Sequence, residues 1–188
     1  MTTQATEGLQ RRRWTVAEIM AMVRAGIIHE HERIELIGGE VVPMSPKGIR
    51  HELLKSALNI YWAQRLPHAI RFSTETTFHL NEDSYVEPDF VFYRRADGLA
   101  KLSPLTALLA VEVADTSLSY DLGRKARIYA TVGVRELWVM NADKLVAHIH
   151  CNPTPDGYAD KTKVQPRKQL VPDFAPELAV VLDQLELV

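Results

Sequence analysis

The sequence predicts an α/β (α+β) fold, a mixed β-sheet flanked by helices, and three observations carry that prediction. Leu108 to Ala114 is apolar on both faces except for Glu112, the pattern of a strand at the centre of a sheet. Two segments, about Ile49 to Leu66 and about Tyr120 to Val132, repeat their apolar residues at helical spacing. Between and after them lie short alternating or β-rich runs, too short for helices and bounded by turn residues.

The elements follow in order along the chain. Residues 1–13 read as a disordered tail, and 14–188 as a single domain. The polar opening MTTQATEG lacks the apolar core of a signal peptide. Arg11, Arg12 and Arg13 are either a solvated end of the tail or an arm for nucleic acid. Thr15-Val16-Ala17-Glu18 has the form of a capping box, so a short helix begins there and stops near Gly26. Arg33–Ile37 and Glu40–Val42 flank Gly38-Gly39 as a hairpin, and Met44–Gly48 is a loop. The helix from Ile49 carries Leu54, Leu58 and Trp62 on one stripe, with His51 at its edge, and Pro67 ends it. Three strand-like runs follow: Ala69–Leu80, Tyr85–Tyr93 and Leu108–Ala114. Gly133 closes the helix from Tyr120. Glu136–Met140 is a second central strand, and Lys144–Cys151 pairs with it antiparallel through an Asn141-Ala142-Asp143 turn. From Asn152 onward the prolines predict loops and short edge strands.

Composition narrows the function classes. Hydrophobic residues at 46% and charged residues at 24% suit a soluble globular protein, and no apolar run approaches the roughly 20 residues needed to cross a bilayer. The formal net charge is −2, so any nucleic-acid partner must be met by a local basic patch rather than by overall charge. The single cysteine, Cys151, forms no internal disulfide and suits a reducing cytoplasm.

Three charges stand where apolar residues belong. Glu112 interrupts a buried strand, where a lone carboxylate is costly unless it is paired or holds a metal. A structural ion pair and a ligand are both open readings. Asp89 follows Pro88 and opens the apolar run Phe90–Tyr93, as a turn-forming residue or as a side chain re-aimed by a bulge. On a wheel of about 100° per residue, Leu122, Ile128, Tyr129 and Val132 fall within about 60° of Lys125. Lys125 therefore points toward the sheet and needs a carboxylate, with Glu112 the natural partner and Asp121 a local one. Arg124 and Arg127 lie away from that face and are solvated. Two carboxylates with a core-facing lysine suit a hard cation such as Mg²⁺ and phosphodiester hydrolysis.

At these residues the chain resembles the PD-(D/E)xK nuclease superfamily, and more closely its Uma-type restriction-endonuclease group. The matching stretches are Arg33–Val42, Met44-Ser45-Pro46 with His51, Pro88-Asp89, Val111-Glu112-Val113, Asp121 and Lys125 with Tyr129, and Gly133–Val139. The resemblance implies a restriction-endonuclease-like core and an Mg²⁺-dependent endonuclease acting on DNA, with Mn²⁺ as a substitute. It implies Asp89 and Glu112 as metal ligands, the Val113 carbonyl as a further one, and Glu35 and His51 completing the site. For His51 a helix-end structural hydrogen bond is the competing reading. The superfamily's lysine belongs two residues after the glutamate, where this chain has Ala114, so Lys125 stands as its relocated replacement. A homodimer would suit cleavage of both strands. The alternative function is a catalytically inactive nuclease-fold module that binds nucleic acid or a protein.

Overall fold

The computed structural model describes residues 11–29 and 31–188, so ten residues of the predicted tail lie outside the described residues. Arg12 and Arg13, read from sequence as the tail's end, lie against the fold. Arg12 pairs with Glu18 at 2.9 Å and Arg13 Nε donates to the Gly38 carbonyl at 2.8 Å. The capping box forms as its residues dictate: Glu18 N–H donates to Thr15 Oγ1 at 3.2 Å and Thr15 N–H to the Glu18 carboxylate at 2.9 Å. It opens α1 (Val16–Arg24). The hairpin of β1 (Ile34–Ile37) and β2 (Glu40–Pro43) turns through Gly38 and Gly39, at φ 57° and 75°. Both positions need glycine for that turn. Gly39 needs it twice, because an added Cβ would sit 2.6 Å from Arg13 Cβ. α2 (Ile49–Arg65) follows and ends before Pro67, as its sequence predicts.

The next two predicted strands are each broken in two. Ala69–Leu80 becomes β3 (Ile70–Ser73) and β4 (Phe78–Asn81), because Glu75 takes a left-handed φ of 49° and redirects the chain. Tyr85–Tyr93 becomes β5 (Ser84–Val86) and β6 (Phe90–Arg94), interrupted at Pro88, which has no N–H to give a ladder. The two breaks meet: Glu75 N–H donates to the Pro88 carbonyl at 3.1 Å. Each break carries the chain between two sheets.

The larger sheet has six strands in the order β10-β9-β8-β7-β6-β3. Its centre is β7 (Ala107–Ala114), buried along its whole length, paired antiparallel to β6 and parallel to β8 (Glu136–Asn141). The crossover between β7 and β8 is helical: α3 (Leu118–Tyr120), a π-helical turn (Asp121–Lys125) and α4 (Ala126–Thr131). β9 (Val146–Thr154) continues antiparallel to β8. β10 (Gly157–Val164) is a full strand where only loops and short edges are predicted. Its side chains are mostly exposed and include Lys161 and Lys163, so it is a solvated edge that hydrophobic patterning does not reveal. A second sheet has the order β2-β1-β5-β4, and β11 (Gln169–Leu170) pairs with β12 (Val180–Val181).

Alternation along β7 sends Val111 and Val113 to one face and Ala110, Glu112 and Ala114 to the other. On the first face α2 packs Leu54, Leu58 and Trp62 against the sheet, with the Trp62 ring edge-on to Phe90 and Phe92 at 5.0 and 5.1 Å. On the other face lie α4 and the second sheet, with Tyr129, Ile37, Phe78 and Val86 in one cluster. Glu112 is thus aimed between the large sheet and its crossover helix. No helix among the described residues is long and apolar enough to cross a membrane.

Candidate active site

Lys125 is 4% exposed and its ammonium lies between two carboxylates, 2.7 Å from Glu35 Oε1 and 2.9 Å from Glu112 Oε1. Three elements make this contact: Glu35 from β1, Glu112 from β7 and Lys125 from the π-helical turn. Tyr129, one α4 turn after Lys125, donates its hydroxyl to Glu112 Oε1 at 2.6 Å. Glu35 also accepts the Glu87 N–H at 2.9 Å, which fixes its carboxylate across the second sheet. Asp121 is not the local partner the sequence offers. Its carboxylate takes the Ser117 hydroxyl at 2.5 Å and stays beyond ion-pair distance of Lys125.

Asp89 sits where Pro88 has ended one strand and β6 begins. The last backbone pair of β6 with β7 joins Phe90 to Val111, so the Val113 N–H is free to donate to Asp89 Oδ2, at 2.8 Å. His51, in the first turn of α2, brings Nε2 to 3.0 Å from Asp89 Oδ1, and Lys47 Nζ stands 3.1 Å from the same oxygen. His51 Nδ1 meets Glu52 at 3.1 Å. Lys47 also contacts Glu75, which pairs with Lys55 at 3.1 Å. The sequence-predicted residues Glu35, His51, Asp89, Glu112, Val113 and Lys125 all line one cleft of about 370 Å³. Ala114 is fully buried on the Glu112 face, so the superfamily's usual lysine position offers no cation.

Sequence reasoning missed two groups in this cleft, Lys47 and Tyr120. Lys47 lies in a loop, where no periodicity marks direction. Tyr129, which the resemblance places with Lys125, lies outside the cleft lining and donates to Glu112 from α4. Tyr120 lines the cleft, and its hydroxyl is buried without a hydrogen-bond partner. Such an orphaned group costs about 1–3 kcal/mol unless something meets it.

The electrostatics follow from burial and crowding. Burial pushes the Glu112 carboxyl well above the usual range, against the pull of Lys125, and the nearby Asp121, Glu35 and Asp89 add to the rise. Burial likewise raises Asp121. Burial opposes ionisation of Asp89 too, but His51, Lys47 and the Val113 amide outweigh it and hold its carboxyl below the usual range. Lys125 is desolvated, yet Glu112, Glu35 and Asp121 raise its pKa, so it stays charged. Burial and Glu35 push the Tyr120 hydroxyl up to about 12, so it remains a donor.

These residues suit a hydrated hard cation. The carboxyl groups of Glu35, Glu87, Asp89, Glu112, Asp115 and Asp121 line a cleft whose ammonium groups are those of Lys47 and Lys125, so acidic groups outnumber ammonium groups there. Among the described residues no three His, Cys, Asp or Glu side chains form a ready-made metal cage. Mg²⁺ needs none, since it binds through one or two carboxylates and keeps its waters.

Comparison with known proteins bears on the family and the fold. Over residues 17–184 the chain matches the model of the Uma2 family, described as "Putative restriction endonuclease". Its structure is similar to a crystal structure from Anabaena variabilis, described as "a putative nuclease belonging to DUF820". The TM-score is 0.64 at 16% sequence identity, over 85% of this chain and 93% of that one. At that identity the likeness is one of fold, the nuclease core that the sequence resemblance implies. No protein of curated function is significantly similar in sequence.

Proposed function

This chain belongs to the Uma2 family, and from that premise we propose that it is an Mg²⁺-dependent endonuclease that hydrolyses phosphodiester bonds in DNA. The observation that carries the proposal is the Lys125 ammonium held 2.9 Å from Glu112, which supplies the cation missing at Ala114. Asp89 and Glu112 are the metal ligands, with the Val113 carbonyl as a further one, and Mn²⁺ substitutes for Mg²⁺. The cation, when bound, orients and acidifies a water and steadies charge on the leaving oxygen. Glu35 anchors Lys125, which holds the phosphate charge or the attacking water. His51 and the Val113 amide orient Asp89, and Tyr129 orients Glu112. The unpartnered Tyr120 hydroxyl donates to a phosphate oxygen. A reducing cytoplasm suits the free Cys151, and a homodimer would pair two such sites for cleavage of both strands.

One observation favours the second reading, a non-catalytic nuclease-fold module. Asp89 and Glu112 each already have protein partners, so neither strictly needs a metal. Plasmid cleavage separates the two. The wild-type protein is expected to nick supercoiled DNA with Mg²⁺ or Mn²⁺ and not with EDTA, while Glu112→Gln and Lys125→Met fold but do not cut. Glu112→Gln cutting at the wild-type rate removes Glu112 from the site. A wild-type protein inert with both ions, and not stabilised by either against heat, favours the binding module.

A further inference from the structure

Four arginines from two segments distant in sequence line a second groove, of about 490 Å³: Arg11 and Arg13 before α1, and Arg124 and Arg127 on the crossover helix. Its apolar and backbone lining comes from Ile37, Gly38, Ile128 and Thr131. Glu40 is the carboxylate in that lining, and it pairs with Arg124 at 2.8 Å. Two of the guanidinium groups are anchored by main chain: Arg13 Nε donates to the Gly38 carbonyl at 2.8 Å and Arg124 to the Ile37 carbonyl at 2.7 Å. Carbonyls orient a guanidinium without neutralising it. Arg13 meets Asp83 only at 3.6 Å, and among the described residues Arg11 and Arg127 make no ion pair with a carboxylate. In a chain of formal net charge −2, this is a local concentration of positive charge held in place.

The groove shares two elements with the acidic cleft. Arg124 and Lys125 are consecutive in the π-helical turn, Arg124 exposed in the groove and Lys125 buried at the carboxylates. On β1, Glu35 faces the cleft, and Ile37 with the following Gly38 edges the groove. We propose that this groove binds the DNA backbone beside the scissile bond, a reading that rests on the nuclease function above. Guanidinium forks match phosphate oxygens in pairs, and four of them around one groove suit a repeated anion rather than one acidic side chain. Such contacts position a duplex without reading its sequence.

The test is binding of a short random-sequence duplex in EDTA, followed by fluorescence anisotropy across a salt series. The proteins compared are wild type, Arg11→Ala/Arg127→Ala, and Asp89→Asn. Both arginines are exposed, so the double variant keeps its packing. It is expected to bind about tenfold more weakly at moderate salt, with the slope of log K against log salt reduced by about 1.8 for two lost phosphate contacts. Asp89→Asn is expected to bind with at least the wild-type slope while failing to cleave when Mg²⁺ is restored. A double variant with wild-type affinity and slope overturns the groove, whatever the cleavage assay shows. So does a wild-type protein that binds no DNA at low salt. If the arginines govern binding but the wild type cuts with no metal, the groove stands and the catalytic reading falls.

Discussion

Lys125 Nζ touches two buried carboxylates, so removing it strands both of them. Breaking a buried pair by deleting one partner costs about 3–5 kcal/mol. Lys125→Met is therefore expected to lose stability of that order in urea unfolding near pH 8. The loss should shrink near pH 5, and the sign follows from Glu112. Its folded pKa is already raised by burial and rises further without Lys125. A raised carboxyl favours the fold below its ordinary pKa and loses that contribution as pH climbs through the folded value. Equal stability of variant and wild type at pH 8 would show that the ammonium is not pairing with Glu112. At this scale the sequence is most legible where a charge violates a pattern. Glu112 stands out in an apolar strand and Lys125 on an apolar helix face. Lys47 and Tyr120 violate nothing, since a loop lysine and a helix-end tyrosine are ordinary, and only the fold turns them into the cleft.

The π-helical turn decides how the crossover helix presents its residues. A wheel of about 100° per residue puts Lys125 inward and surrounds it with Leu122, Ile128, Tyr129 and Val132. Of these four Tyr129 is buried, the other three are only half-buried, and Ala126 and Ala130 join Tyr129 on the inner face. The wider turn over Asp121–Lys125 shifts the phase of the residues around it, which a constant-period reading cannot foresee. Gly123 lies exposed in this turn with open space around its Cα and no left-handed φ. Gly123→Ala is expected to stabilise the protein by about 0.4–1 kcal/mol, seen as a higher melting temperature. A lower one would mean that the turn depends on glycine's freedom. The strand break at Pro88 is marked by the proline itself, but the one at Glu75 has no such sign. Threonine-rich and aromatic flanks carry β-propensity straight through Glu75, and the switch between sheets is a tertiary choice. The central strands β7 and β8 were legible because burial on both faces leaves a continuous apolar run.

Over the whole molecule, a formal charge of −2 conceals two opposed surfaces, an acidic cleft and an arginine groove on either side of the π-helical turn. Composition averages them away, and no stretch of sequence shows that Arg11 and Arg127 meet. Both surfaces take their meaning from the ion proposed for the cleft. The most direct measurement is a crystal structure of the protein with Mn²⁺, the ion located by its anomalous scattering. One Mn²⁺ bound by Asp89 and Glu112, with the Lys125 ammonium beside it, is the expected result. A cleft without Mn²⁺ at saturating concentration, with Lys125 still bridging Glu35 and Glu112, would contradict it.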